Sequence, residues 1–562
     1  MPRKTPGPSR WVALIGVLAV VLPMPALLAP SAGAKGFVPI SGSGSTWSSN
    51  ALDQWRRNVN NLYGITVNFS ANGSTSGRND FKSGQVDFAV SEIPYGLTDG
   101  GVLDPKPDRG FAYMPIVAGG TAFMYNLKIG NKRVTNLRLS GETITKIFTQ
   151  QITSWSDPAI KADNPGLALP ARKIVPVARS DGSGTTAQFT TWMASQHSGL
   201  WDDYCRRAGR STPCGFTSFY PIANAMVSKA GSQGVAGFVA QGSSEGSITY
   251  VEYSYARNSG FPVAKVLNKA NYYIEPKAAN VAVALLKAQL NSDLTQDLRG
   301  VYVDGDPRTY PLSSYSYMIL PKDPNGNLTK EKGETLSEFA YYFLCEGQQQ
   351  ADALGYSPLP LNLVQAGVDQ AGQIPGSTKK LNRGDLQKCN NPTFSPDGTN
   401  TLARNAAQPD PCDLKGAPTQ CATGTGGAAN TTTPTSNSGA GAGGGGPGGE
   451  SGAAGGGGSD GTAGAGSSTG GDNGNGTLAA GPGTDSGSAA TIDPDTGQLI
   501  GGTSLAGGAG STGVSAVPVS VDVADDRRQT VLAVLAVVLL LGLVLGPPLV
   551  ARTMRNREGQ QP

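Results

Sequence analysis

Residues 423–525 limit what this chain can fold into more than any other stretch. From about 423 to 515 the sequence is Gly, Ala, Ser and Thr with almost no large apolar side chains. Such a tract cannot bury enough surface to offset the entropy of ordering it, so it reads as a disordered linker. About 90 residues of Gly-rich coil span roughly 50 Å on average, at about 5–6 Å times the square root of the length. Any folded body must therefore lie before it. Residues 35–400 have ordinary globular composition, and 401–422 form a Cys-containing extension.

Both ends of the chain read as membrane-directed. Arg3, Lys4 and Arg10 precede an apolar run from Trp11 to Leu22, and Ala32-Gly33-Ala34 suits cleavage before Lys35. Residues 1–34 are therefore expected to be a cleaved secretory signal, with an uncleaved anchor as the alternative. Beyond the linker, Val531 to Val550 carries no charge and is long enough to cross a hydrocarbon core of about 30 Å. Residues 530–551 are thus expected to be a transmembrane helix. The basic tail 552–562, with Arg552, Arg555 and Arg557, would be cytoplasmic, which puts the folded body outside the cell membrane.

The formal net charge of +3 and the lack of a long Lys/Arg run argue against nucleic acid as a partner. Six cysteines in an exported chain suggest disulfides. The close pairs Cys205/Cys214 and Cys412/Cys421 leave Cys345/Cys389 as the third, one of many connectivities open to six cysteines. Metal binding is the weaker alternative, because there is no C-x-x-C and His197 is the sole histidine.

Periodicity within the body alternates between helix and strand. Ala51, Leu52, Trp55, Val59 and Leu62 recur at helical spacing, with Gly64 as the stop. Ile65–Phe69 reads as a strand, Val86, Phe88 and Val90 alternate like a second, and Ile174–Ala178 reads as a third. Helices are expected over Thr185–Ala194, Ala278–Leu290 and Thr335–Leu344. This βα alternation implies an α/β fold with mainly parallel sheet, and the length favours two lobes.

Three stretches share one design: Gly42-Ser43-Gly44-Ser45-Thr46-Trp47, Asn72-Gly73-Ser74-Thr75-Ser76-Gly77 and Arg179-Ser180-Asp181-Gly182-Ser183-Gly184-Thr185. Each places glycines and small hydroxyls at a helix N-terminus, where backbone N–H groups lack partners and the dipole favours negative charge. An oxyanion is the natural guest. Arg179 adds a rigid fork of donors, and Asp181 is placed to hold it. Any one of these loops alone could be an ordinary turn.

Taken in order, these motifs together with Val-Asp-Phe-Ala-Val-Ser-Glu at 86–92, Tyr315-Ser316-Tyr317 and Leu354-Gly355-Tyr356-Ser357-Pro358-Leu359-Pro360 resemble the phosphate-binding protein of Pst-type phosphate ABC importers. The resemblance runs from about Phe37 to Leu363. It implies a two-lobe type II periplasmic-binding-protein fold, with lobe I at about 37–117 and 265–385 and lobe II at about 118–264. It implies phosphate binding by Thr46, the Trp47 backbone N–H, Ser74, Arg179, Ser183, Gly184 and Thr185. Glu92 stands where the family usually has an Asp that accepts a hydrogen bond from the proton on hydrogen phosphate. The alternative leaves Glu92 facing solvent at a strand end. The implied partners are inorganic phosphate and the permease subunits of the importer, with a monomeric binding protein and no cofactor. No Cys follows the signal, so the C-terminal helix would supply the membrane anchor.

Two other readings compete. One is a phosphate-binding surface protein or sensor that does not transport. The other is a serine hydrolase or phosphatase using Ser183 with His197. Asp181-Gly182-Ser183-Gly184 lacks the first glycine of G-x-S-x-G, and His197 lies about three turns further along the expected helix, so no enzyme is expected.

Overall fold

In the computed structural model the described residues are 36–425, apart from 224, 225, 325 and 326, together with two short strands near the C-terminus. The chain divides into two units, Met1–Gly474 and Asn475–Pro562. In the second, Thr491–Ile492 pairs antiparallel with Leu499–Ile500. The signal 1–34, nearly all of the linker, the span 530–551 and the tail 552–562 lie outside the described residues. Among the described residues no helix is long and apolar enough to cross a membrane.

The first unit is built on eight strands: β1 (Ile40–Gly44), β2 (Val67–Ser70), β3 (Phe88–Ser91), β4 (Phe111–Tyr125), β5 (Val175–Arg179), β6 (Val227–Lys229), β7 (Ser247–Glu252) and β8 (Ser313–Pro321). The helices that matter for the site and its surroundings are α1 (Ser49–Tyr63), α2 (Ser74–Lys82), α3 (Gly184–Gln196), α4 (Gly231–Val239), α5 (Ala278–Ala284) and α6 (Lys330–Leu344).

The strands form one sheet in the order β6-β5-β7-β4-β8-β3-β1-β2. Pairing is parallel in β2-β1-β3 and in β6-β5-β7. It is antiparallel across the middle, through β3-β8, β8-β4 and β4-β7. The expectation of mainly parallel sheet therefore holds only on the flanks. β4 is the shared spine. Its residues Phe111–Gly120 pair with β8, and Thr121–Tyr125 pair with β7. Its interior is buried on both faces, which suits a central strand with a near-continuous apolar sequence. The chain thus has a β8 side and a β7 side joined through one strand.

Helix α1 forms where its period predicts. Ala51, Leu52, Trp55 and Val59 are buried, and Gly64 ends the helix at φ 67°, with its N–H donating to the Asn60 carbonyl and the Ile65 N–H to that of Val59. Leu62 is 63% exposed, because the last turn projects past the core. The strand expected at 65–69 is shifted to Val67–Ser70. The helix expected over 278–290 stops at Ala284. The chain then makes a 3-10 turn over Leu285–Lys287 and pairs Gln289–Leu290 with Gln296–Asp297. Helix α6 begins at Lys330, five residues before the expected start. All three cysteine pairs are disulfides: Cys205–Cys214, Cys345–Cys389 and Cys412–Cys421.

Candidate functional site

The carboxyl ends of β1, β3 and β5 and the N-termini of α1, α2, α3 and α4 meet at one place, the usual position of a ligand in an open α/β sheet. Helices α1, α2 and α4 carry no side-chain N-cap. Helix α3 has one, since Ser183 Oγ accepts from the Thr186 N–H at 3.1 Å. An uncapped first turn can present N–H donors and the positive dipole end to an anion, although the first two amides of α4, Gly231 and Ser232, are taken by Asp181 and Thr46.

Close backbone approach explains the glycines. A Cβ on Gly77 would sit 2.3 Å from Gly44 Cα, so α2 could not pack on the β1 loop. A Cβ on Gly184 would lie 1.9 Å from Glu92 Oε2 and 2.6 Å from Ser74 Oγ. Only glycine lets the first residue of α3 reach the carboxylate.

Glu92, the residue after β3, does not face solvent; it is 1% exposed. Its Oε1 accepts from Ser45 Oγ at 2.6 Å and from Ser316 Oγ at 2.7 Å. Its Oε2 accepts from Ser74 Oγ at 2.8 Å. Burial raises its pKa above the ordinary carboxylate value, and the three hydroxyls and the charge of Arg179 only partly oppose this. Two amides point at the same serines. The Trp47 N–H donates to Ser45 Oγ at 2.9 Å and the Gly184 N–H to Ser74 Oγ at 3.1 Å.

The β7 side supplies the cation. Arg179 is 2% exposed at the end of β5. It donates to Asp181 Oδ1 from Nε at 2.7 Å, to Asp181 Oδ2 from Nη2, and to Ser232 Oγ from Nη1 at 3.3 Å. Burial disfavours the charge on Asp181, but the bonds from Arg179 and the Gly231 N–H outweigh it and hold the pKa below the usual value. Thr46 crosses from the β8 side: its hydroxyl lies 2.8 Å from Ser232 Oγ and accepts from the Ser232 N–H at 3.1 Å. Thr185 Oγ1 is buried at the start of α3 without a hydrogen-bond partner among the described residues. An unsatisfied buried hydroxyl calls for an explanation, and a bound anion supplies one.

Two hydrogen-bond networks therefore each cross the two sides: Glu92 with Ser45, Ser74, Ser316 and the Trp47 and Gly184 amides, and Thr46 with Ser232, Arg179 and Asp181. Ser183 takes part as the cap of α3. His197 lies at the far end of that helix, roughly 20 Å from Ser183 at about 1.5 Å per residue, against the Trp192 ring. A Ser183–His197 pair cannot form in this arrangement.

Sequence reasoning gave no role to Ser45, Ser232, Ser316 or Gln188. Gln188 Nε2 donates to the Glu92 carbonyl at 3.0 Å. Ser316 reaches Glu92 because the antiparallel β3–β8 register, with Tyr317 opposite Ser91, carries it one step on to face Glu92. On the other side of β8, β4 carries one extra residue, Ile116, between Val117 and Pro115, which face Ser316 and Tyr317.

A family model described as the PBP superfamily domain matches residues 29–346. Phosphate-binding protein PstS of Xylella fastidiosa is 31% identical over 338 residues, covering 60% of this chain and 85% of that protein. Phosphate-binding protein PstS 3 of Mycobacterium tuberculosis is 30% identical over 329 residues, 57% of this chain and 82% of that protein. Among solved structures, a high affinity periplasmic phosphate-binding protein (PfluDING) bound with phosphate aligns at 19% identity and a TM-score of 0.45, over 63% of this chain and 98% of that one.

Proposed function

Because this chain belongs to the PstS phosphate-binding proteins of the PBP superfamily, we propose that it captures inorganic phosphate outside the cell membrane and delivers it to an ABC importer. The observation that carries this reading is the ring of Ser45, Ser74 and Ser316 hydroxyls around the buried Glu92, with Arg179 across the cleft. Phosphate would be held by Thr46, Ser74, Arg179, Gly184 and Thr185 and by the Trp47 amide, with Ser183 fixing the first turn of α3.

Glu92 sets the selectivity. An ionised carboxylate repels an oxyanion that has no proton and accepts a hydrogen bond from one that still carries a proton. Phosphate near neutral pH has that proton and sulfate does not. Entry of the anion requires a change of partners, since each serine hydroxyl has one proton and now gives it to Glu92. Rotation of these hydroxyls lets Ser45 and Ser74 donate to the anion, while the proton of phosphate takes a place on Glu92.

The lobes, about 37–117 with 265–385 and about 118–264, would close around the ion by hinge motion. The closed form would dock on the permease. The apolar stretch 530–551 would tether the protein to the membrane through the linker. Isothermal titration of the intact chain with phosphate, arsenate, sulfate and molybdate tests the proposal. Binding of phosphate and arsenate with rejection of sulfate is expected; no phosphate binding, or sulfate bound as well as phosphate, would overturn it.

A further inference from the structure

The segment beyond the family match ends in a stretch that crosses from one side of the sheet to the other. Its start is fixed on the β8 side. Cys389 is disulfide-bonded to Cys345, which follows α6. Asn391 Nδ2 and Thr393 Oγ1 donate to the Leu359 carbonyl at 3.0 and 2.8 Å. Ala403 and Ala406 pack against Ala282 and Val283 of α5, and Arg308 Nη1 donates to the carbonyls of both alanines at 3.1 and 3.3 Å.

Its end is fixed on the β7 side, through Arg138, Asn136, Thr135 and Val263. At the boundary of the two sides, Asp413 forms a buried ion pair at 2.6 Å with Lys265, which is paired in a small sheet with Arg138. Arg138 Nη1 donates to the Cys412 carbonyl at 3.0 Å. Gln420 Nε2 donates to the Asn136 carbonyl at 2.9 Å. The Thr425 N–H donates to the Thr135 carbonyl at 2.7 Å, and Thr425 Oγ1 accepts from the N–H of Val263, which bridges Met124 in the second half of β4. The Cys412–Cys421 disulfide keeps this end folded as a unit.

Between the anchors at Ala406 and Cys412 run Ala407, Gln408, Pro409, Asp410 and Pro411. Six residue steps reach at most about 20 Å, and two prolines stiffen them. We propose that residues 389–425 are a strap that ties the two sides together and limits how far they part. The two sides are already joined by the main chain; the strap adds a short, stiff tie held at both ends by a disulfide-bonded anchor. It sets the fraction of time the site spends open, and therefore the rate at which any occupant exchanges.

The test alters the length of the tie and leaves both anchors intact. Six Gly/Ser residues inserted between Gln408 and Pro409 roughly double it; deletion of Ala407 and Gln408 shortens it. Opening is read by native-state hydrogen exchange of the intact chain at three amides that bond across the cleft: Thr75 to the Gly182 carbonyl, Gly184 to Ser74, and Ser232 to Thr46. Each doubling of a flexible tie weakens closure about threefold, so protection of these amides should fall by at least about that factor in the longer variant. It should rise in the shorter one. Exchange elsewhere in the β1–β8 core reports general destabilisation, which would move both variants the same way. Unchanged protection in both variants, or a loss in both that matches the core, would overturn the proposal. The readout needs no ligand, so a failure of the phosphate assignment would be seen separately, by titration.

Discussion

Replacing Glu92 with Gln tests whether its carboxylate decides between anions, as proposed above. The change keeps the shape and removes the charge. In the native site, an anion entering among the serines meets Glu92 at about 4 Å. At an effective dielectric constant of about 20, two like unit charges there repel by about 4 kcal/mol, roughly a thousandfold in affinity. Phosphate would avoid most of this by donating a hydrogen bond to the carboxylate; sulfate cannot. Glu92→Gln should therefore raise sulfate affinity by roughly a hundred- to a thousandfold. Phosphate should lose a charge-assisted hydrogen bond, about 1.5–3 kcal/mol, or roughly ten- to a hundredfold. Competition calorimetry on the folded variant reads both numbers. A variant that still binds phosphate and still rejects sulfate as the native protein does would refute the reasoning. The pH dependence points the same way. Burial raises the Glu92 pKa, so acidification through that raised value neutralises the carboxyl while the protein is folded. Sulfate should then compete better as pH falls, and the variant should lose that dependence. Stability follows with a definite sign. The folded state holds its proton to higher pH than the unfolded state, so the native protein gains stability as pH falls through the raised pKa, and Glu92→Gln removes that slope.

The remaining substitutions probe the supports of that carboxylate and its counter-ion. Ser316→Ala removes one of the three donors, so phosphate binding should weaken by about 1–1.5 kcal/mol in titration, with the acid-side loss of sulfate rejection moving to higher pH. Arg179→Ala leaves the half-buried Asp181 with only the Gly231 N–H as partner. It should cost about 1–3 kcal/mol of stability by denaturant unfolding, and phosphate binding should become undetectable at micromolar protein. Gly184→Ala forces a methyl group against Glu92 Oε2, so it should abolish binding while lowering stability by about 1–3 kcal/mol.

Local patterns and long-range pairing differ in how far they show in the sequence. Helix α1 is legible because an apolar residue recurs every three or four positions and Gly64 marks its end. The run from Ala278 carries no comparable stop. Its helix ends at Ala284 because Gln289–Leu290 must pair with Gln296–Asp297, and nothing inside 278–290 announces that pairing. The joining of both sides through β4 is hidden for the same reason. A 15-residue strand buried on both faces has no alternation to betray it, and its partners, β7 and β8, lie more than a hundred residues away.

The site divides along the same line. Thr46, Ser74 and Ser183–Thr185 sit in loops whose glycines and hydroxyls precede helices, so short-range chemistry exposes them. Ser316 does not: it lies 224 residues from Glu92 and meets it only through the antiparallel pairing of β3 with β8. That difference bears on how selectivity is built. The loops supply donors that would welcome many oxyanions, because an N–H or O–H does not distinguish sulfate from phosphate. Discrimination needs a negative group held unsolvated among those donors, and holding it requires enough hydroxyls to compensate its burial. Two of the three, Ser45 and Ser74, come from the loops proposed to bind the anion, so ligand and carboxylate would share donors. Ser316 stands outside those loops and would stay with Glu92 when the other two turn to the anion. On the proposed reading, the serine hardest to see in the sequence is the one that would keep the selecting charge in place while the site is occupied.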